Sequence, residues 1–162
     1  MAELAEIVQA SLAGYYEEVR ERVHHWVDPL TTEQIWARPY PYGNSVGHLL
    51  LHLTGNLNYY IGTQIAGTGY IRHRELEFTD AQKKSKDRVL ADFDSTIDMV
   101  VDTIRKQSPE DWTKPYSGDR EPFAKDRFTA VFCCAAHAYH HVGQLVYLSN
   151  ELTKSAAKSA GR

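Results

Sequence analysis

The chain has 162 residues, of which 43% are hydrophobic, and its formal net charge is −3. This size and composition predict one globular domain with a continuous core. The slight negative charge, without a Lys/Arg cluster, argues against nucleic-acid binding. No apolar run is long enough to span a bilayer, and the first residues lack the features of a secretory signal. We therefore expect a cytoplasmic protein that binds neither nucleic acid nor a membrane.

The first helix is predicted from about Ala2 to Val27, where apolar residues recur at steps of three and four. Pro29 ends it, because the residue before a proline is pushed out of the helical region. A short capped turn at 31–34 then brings Trp36 to the core. A loop rich in proline and glycine follows.

The second helix is predicted to begin at a cap on Asn44 or Ser45 and to continue to about Ala66. Glycines at 67 and 69 break the pattern there, and a polar loop leads to Phe78. The helix carries a polar ridge at four-residue steps: His48, His52, Asn56 and Tyr60. Leu49, Leu53 and Leu57 lie beside this ridge.

The third helix is predicted to start at Thr79 or Asp80, and its buried stripe is Leu90, Phe93, Ile97, Val100 and Ile104. A capped turn at 108–112 presents Trp112, and the segment from Thr113 to Asp126 is predicted to be a loop. The fourth helix is predicted from Arg127 to Leu152. Residues 1–152 then form a single all-α domain, a four-helix bundle with long connecting loops, and residues 153–162 a frayed, disordered tail.

The most informative motif is HAYHHVGQ at 137–144. His137 and His141 are four residues apart, which brings their side chains within reach of one metal ion on a helix. The second helix offers His52 or His48 as a third ligand, and leucines on either side place His52 nearer the bundle interior. Three imidazoles from two facing helices predict a metal centre, although histidines at this spacing also arise by chance.

The remaining candidate residues have plainer interpretations. His24, His25 and His73 have no partner at ligand spacing, and we interpret them as ordinary polar residues. The adjacent Cys133 and Cys134 are interpreted as small core residues. Cys134 lies one turn before His137, so its sulfur is kept as an alternative contributor to the metal centre.

The cap NSVG at 44–47, the histidine that follows it, and HxxxHxGQ on the last helix resemble the DinB/YfiT-like superfamily of metal-binding four-helix bundles. The segment RHRELEF at 72–78 resembles one uncharacterised branch of that superfamily. The resemblance covers nearly the whole chain and implies His52, His137 and His141 as the metal ligands. His48 departs from the pattern, and we expect it to orient the site or line its mouth rather than bind the ion.

Three protein ligands leave open positions on a metal, as in catalytic sites. We expect one divalent transition metal per chain, zinc or nickel, although imidazoles also suit iron and copper. The superfamily includes relatives that use small thiols. The resemblance therefore implies a metal-dependent enzyme, and we expect it to transfer a low-molecular-weight thiol to a small-molecule substrate. The alternatives are a metal-dependent hydrolase and a non-catalytic dimeric binding bundle. We expect a homodimer under each of these three interpretations.

The loops at Gly67–Phe78 and Thr113–Asp126 are predicted to build a pocket over the open metal position. Asn56 and Gln144 follow the ligand histidines by one helical turn. We expect both side chains to lie close enough to hydrogen-bond ligands or bound water.

Overall fold

A computed structural model describes residues 2–118 and 123–160 of the chain, and the backbone in these ranges is helical and without a β-sheet. The described α-helices, in chain order, are α1 (Ala2–Val27), α2 (Thr32–Trp36), α3 (Val46–Leu57), α4 (Lys86–Arg105), α5 (Pro109–Trp112) and α6 (Arg127–Ala160). A π-helix (Asn58–Ala66) continues α3, and two short 3-10 helices (Arg74–Phe78 and Asp80–Gln82) precede α4.

The four long helices form the bundle, which confirms the predicted all-α class. α1 packs against α4 and α6, and α3 packs against the same two helices from the other side. Each helix turns its apolar stripe inward because that removes apolar surface from water. The largest fully buried side chains include Tyr16, Leu50, Phe93, Ile97 and Leu145.

Tyr16 ties α1 to α6 inside this core. Its ring is fully buried, and its hydroxyl donates a hydrogen bond of 2.9 Å to the carbonyl of Val131. Burial raises the pKa of this phenol well above its usual value, so the hydroxyl keeps its proton and remains a donor. The polar group of a buried tyrosine is thereby satisfied without water.

The second predicted helix is one continuous rod that changes from an α-helix to a π-helix. The α-helix ends at Leu57, and the nine residues to Ala66 form a π-helix. At the junction, the Asn58 side chain donates to the Thr54 carbonyl at 3.0 Å and to Thr96 Oγ1 at 2.7 Å. Such side-chain bonds compete with the helical ladder. The rod stops at Gly67, whose φ of 69° suits a glycine.

The third long helix begins later than the sequence predicts. α4 starts at Lys86, with Ser85 as its N-cap, and Thr79 and Asp80 lie in the 3-10 region instead. The Ser85 hydroxyl accepts the Arg88 N–H at 3.3 Å, so it satisfies a backbone donor that a helix end leaves exposed. The predicted buried stripe of this helix is observed in full.

The last helix extends beyond the predicted end at Leu152. α6 continues to Ala160, so the prediction of a disordered tail from 153 is corrected for the described backbone. The added residues include good helix formers such as alanine and lysine, and no proline or glycine interrupts them before Gly161. Residues 161–162 lie outside the described part of the chain. The described helices include none long and apolar enough to cross a membrane.

His24 has a structural role that its lack of histidine partners does not reveal. Its Nε2 lies 3.0 Å from Asp94 Oδ1 on α4, and its Nδ1 lies 3.2 Å from Asp28 Oδ1. Burial favours the neutral ring, but the hydrogen bonds and charges of Asp94 and Asp28 outweigh it and raise the His24 pKa. The ring therefore links α1 to α4, and the link is strongest when the ring is protonated.

We expect this link to stabilise the protein more in acid than in base. A raised folded-state pKa gives stability that is complete below the unfolded pKa and is lost as the pH rises through the folded value. Urea unfolding of the wild type and His24→Gln should therefore differ more at pH 5.5 than at pH 8.5. The exposed neighbour His25, changed to glutamine, serves as control. A His24→Gln effect equal at both pH values would contradict this assignment.

Candidate metal centre

Three histidines meet between α3 and α6. His52 comes from α3, and His137 and His141 come from consecutive turns of α6. One ring nitrogen from each lies within 4.8 Å of the others, a grouping that could hold a metal ion. In the parts of the chain that the structure describes, no further histidine, cysteine or carboxylate joins this group. The arrangement matches the three ligands that the resemblance implies.

The spacing of the ring nitrogens suits a common ion. His52 Nε2 and His137 Nε2 are 3.0 Å apart, and the His137 and His141 ring centroids are 4.5 Å apart. Two nitrogens bound to one tetrahedral zinc lie about 3.3 Å from each other, given Zn–N bonds of about 2.05 Å. Small side-chain rotations would therefore bring the imidazoles to coordination geometry, and the donor set fits a transition metal.

A buried carboxylate orients His52 from the side away from His137. Glu77, in the first 3-10 helix, is 6% exposed, and its Oε2 lies 2.8 Å from His52 Nδ1. As Nδ1–H donates to this carboxylate, the lone pair of Nε2 is left for a metal. Carboxylates commonly hold metal-binding histidines in this way.

Arg72 completes the arrangement by pairing with the same carboxylate. Its Nε donates to Glu77 Oε1 at 2.6 Å, and its Nη2 donates to Oε2 at 2.8 Å. Burial opposes ionisation of Glu77, but the hydrogen bonds from His52 and Arg72, together with the arginine charge, lower its pKa. Glu77 therefore stays ionised at neutral pH and remains an acceptor for His52.

Gly55 provides the space that this carboxylate occupies. A β-carbon at position 55 would overlap the Glu77 carboxylate, with its Cδ at 3.0 Å. Real β-carbons rarely approach so closely, and here the obstacle is a buried carboxylate held by three hydrogen bonds. The glycine one turn before Asn58 is thus needed for the close approach of the 3-10 segment to α3.

His141 is held in a similar way by Gln144. Gln144 Oε1 lies 2.7 Å from His141 Nδ1, which confirms the contact predicted from their three-residue spacing. The amide oxygen accepts the Nδ1–H of the ring, and Nε2 is then the nitrogen presented to a metal. Two of the three histidines thus have the same tautomer fixed by neighbouring residues.

His48 does not take part in the metal centre. Its Nδ1 lies 2.8 Å from Ser45 Oγ at the start of α3, and its Nε2 lies 3.4 Å from Asp80 Oδ1. Its ring also packs edge-on against Trp36. Burial lowers its pKa and keeps it neutral. The expectation that it orients the site is therefore replaced by a capping role, while its predicted exclusion from the ligand set agrees with the geometry.

A small cavity lies beside the centre. His137 and Asn56 line it together with residues of the π-helix, the loop before α6 and α6 itself: Tyr60, Tyr116, Ala124, Ala130, Cys133 and Cys134. The predicted loop Thr113–Asp126 therefore does contribute to a pocket beside the centre. The other predicted loop, Gly67–Phe78, instead supplies Arg72 and Glu77, and it lines a separate cleft on the α4 side.

Neither cysteine is a ligand in this arrangement. Both Cys133 and Cys134 line the cavity next to His137, but their sulfurs do not join the group of donor atoms formed by the histidines. They are not joined in a disulfide, as their adjacent positions on one helix predict. The alternative role of Cys134 at the metal is not supported.

The chain is similar to proteins of a known superfamily over most of its length. A model of the DinB superfamily matches residues 15–145, which include all three histidines of the centre. The chain belongs to the DinB superfamily. This agrees with the resemblance seen in the sequence motifs. No curated protein sequence matches this DinB-superfamily member.

Two solved structures have the same fold. A conserved protein from Enterococcus faecalis is 15% identical, with a TM-score of 0.73, and the match covers 90% of this chain and 96% of that one. A DinB-like protein from Bacillus cereus ATCC 10987 is also 15% identical, with a TM-score of 0.68, and the match covers 86% and 89% of the two chains. At this identity the likeness establishes the shared fold alone.

The part of the site that the sequence motifs did not reveal is the Arg72–Glu77 pair. Both residues lie in the segment RHRELEF, which was recognised as a family feature without a role for either side chain. An acidic and a basic residue five apart in a loop are usually solvent-exposed, so their burial against His52 follows from the tertiary structure alone.

Proposed function

We propose that this protein is a metal-dependent enzyme in which His52, His137 and His141 hold one divalent zinc or nickel ion. The observation that supports this most strongly is that two of the three histidines pair their outer nitrogen with a fixed acceptor: Glu77 for His52 and Gln144 for His141. Protein residues that merely filled a core would not need this tautomer control. A three-ligand set leaves positions for a substrate, as catalytic metal sites do.

We further propose that the reaction is the transfer of a low-molecular-weight thiol to a small electrophile. When bound, the ion would lower the pKa of a thiol and hold it as the thiolate. The role of the chain is to fix the imidazoles of His52 and His141, through Glu77 and Gln144.

The residues near the cavity favour thiol transfer over hydrolysis. Hydrolysis usually needs a general base beside the attacking water. The described residues that line the cavity include no carboxylate, and Glu77 is occupied by Arg72 and His52. Thiol transfer needs no such base, since the proton of the S–H bond passes to buffer once the sulfur is held as thiolate. The sulfur then bonds to the electrophilic carbon, and the leaving group departs with its electron pair.

The test is a screen of thiols with one electrophile. Glutathione, N-acetylcysteine and cysteine would each be mixed with 1-chloro-2,4-dinitrobenzene, in which a C–S bond forms as chloride leaves. We expect at least one thiol to react faster with the zinc- or nickel-loaded protein than with buffer. The rate should fall to the buffer rate after chelation and return on remetallation.

Ester and amide substrates run beside the thiols distinguish the alternatives. Metal-dependent hydrolysis with no thiol transfer would replace this proposal by the hydrolase. A protein that binds metal but turns over none of the substrates would support the non-catalytic bundle. His140→Ala is a useful control variant, because His140 is an exposed neighbour on the same helix as the ligands.

We also propose that the protein forms a homodimer. α6 exposes several large apolar side chains along one side, including Phe128, Phe132 and Tyr139, which are 40%, 56% and 37% exposed. The rings of Phe128 and Phe132 stack with centroids 6.3 Å apart, so they form a continuous apolar surface. Such a surface is typical of an interface. Light scattering coupled to size exclusion should give twice the chain mass of 18.4 kDa, and a mass of one chain would contradict it.

A further inference from the structure

Asn56 is a buried polar residue beside the metal centre. It lies on α3 one turn after His52, and it is 3% exposed. Its Oδ1 is buried and has no hydrogen-bond partner among the residues that the structure describes. A buried acceptor without a donor destabilises a fold by about 1–3 kcal/mol. An apolar side chain of the same shape would avoid this penalty.

The Asn56 side chain lines the same cavity as His137. The cavity measures about 20 Å³, which is room for one group of the size of a water molecule. Tyr116 closes one side of it, since its hydroxyl donates to the Tyr60 carbonyl at 2.9 Å. Asn56, which carries a buried acceptor without a partner, and His137 therefore line one small space.

We infer that Asn56 Oδ1 accepts a hydrogen bond from a neutral N–H or O–H group of the molecule that binds at the histidine centre. This inference rests on the proposed metal site and names the class of substrate it takes. The substrate has an atom that binds the metal and, next to it, a neutral hydrogen-bond donor without a bulky substituent. The rest of the substrate lies outside the cavity.

The donor is neutral because of what surrounds Asn56. The described lining residues carry no carboxylate that would balance an ammonium group, and burying an unpaired cation is costly. The small volume excludes rings and branched groups from the position next to Asn56. An amide or hydroxamate N–H, or a hydroxyl, meets both requirements.

Two hydroxamates that differ at one position test this inference. Acetohydroxamic acid carries an N–H beside its metal-binding oxygens, and N-methylacetohydroxamic acid has the same oxygens without the N–H. Calorimetric titration of the zinc-loaded protein should show about tenfold tighter binding of the first compound, the effect expected of one buried hydrogen bond. In Asn56→Leu, which keeps the shape and removes the acceptor, the two affinities should become nearly equal.

Further variants separate the hydrogen bond from size and from misfolding. Asn56→Asp retains an acceptor and should keep the preference for the N–H compound. Asn150→Leu changes an exposed asparagine on α6 and should leave the preference as in the wild type. A preference that survives unchanged in Asn56→Leu would arise from size alone and would overturn the inference. Equal binding of both hydroxamates by the wild type would also overturn the inference.

Failure of the metal site itself gives a different result. If neither hydroxamate binds to zinc-loaded protein, the open metal position is wrong and the proposed function falls with it.

The stability of the metal-free protein offers an independent measurement. Asn56→Leu should unfold at the same or higher urea concentration than the wild type, because it removes an unpaired buried acceptor. A clear loss of stability would mean that the amide is satisfied within the fold, which would overturn the inference.

Discussion

Glu77→Gln is expected to weaken zinc binding by about 10- to 100-fold, the usual effect of losing the partner of a metal-binding histidine. The carboxylate accepts the Nδ1–H of His52 at 2.8 Å and thereby directs Nε2 toward the centre. A glutamine can present its NH₂ group to the same nitrogen, which favours the wrong tautomer. It also leaves Arg72, 7% exposed, without a buried counter-charge.

The unpaired arginine in Glu77→Gln is also expected to lower the stability of the fold, which must be separated from the effect on zinc affinity. Removing one partner of a buried ion pair usually destabilises a protein by about 3–5 kcal/mol, so zinc affinity should be measured by competition with a chelator in protein shown to be folded by circular dichroism. Glu75→Gln, in the same 3-10 helix but 72% exposed, is the matched control and should bind zinc normally. Equal affinity in Glu77→Gln and Glu75→Gln would remove Glu77 from the site.

Gly55→Ala should reproduce the loss of affinity without changing any polar group. Its β-carbon would overlap the Glu77 carboxylate and push it from His52. Gly14→Ala on α1 is a control for the helix itself, because a β-carbon there meets nothing within 4 Å. Normal zinc affinity in Gly55→Ala would show that the carboxylate can move without consequence.

Zinc is expected to raise the melting temperature of the metal-free protein by about 8–16 °C. A ligand present at about 1,000 times its dissociation constant stabilises the folded state by about 4 kcal/mol, and each kcal/mol shifts the midpoint of a protein of this size by about 2–4 °C. The histidines come from α3 and α6, so the ion would link two helices that are distant in sequence.

The shift should disappear in His137→Ala and persist in His140→Ala. The two residues are three positions apart on α6, but His137 lies 3.0 Å from His52 whereas His140 is exposed. Differential scanning fluorimetry with and without zinc, on protein made without a polyhistidine tag, measures both. A shift of the same size in His137→Ala and the wild type would show that zinc binds elsewhere.

The sequence predicted the long helices well because their apolar residues recur at helical steps over many turns. The boundaries that it missed depend on weaker signals. The π-helix after Leu57 has the same apolar spacing as an α-helix over nine residues, and the late start of α4 depends on which of several serine, threonine and aspartate residues becomes the cap. Such choices are decided by packing rather than by local sequence.

In the candidate site, too, some residues could be predicted from the sequence and others could not. His137 and His141 could be found from their spacing, since a four-residue step on a helix determines where two side chains lie relative to each other. His52 was preferred over His48 because of its leucine neighbours and then by the family resemblance, and the structure places His48 at the helix cap instead. Glu77 could not be found at all, because its contact with His52 joins residues 25 apart through a loop of irregular structure.

Metal content is the most direct test of the centre. Elemental analysis of tag-free protein should find about one zinc or nickel ion per chain, since the three histidines form a single group of donor atoms. The double variant His137→Ala, His141→Ala should contain almost none. A metal content that is the same in the wild type and the double variant would contradict the assignment of this site.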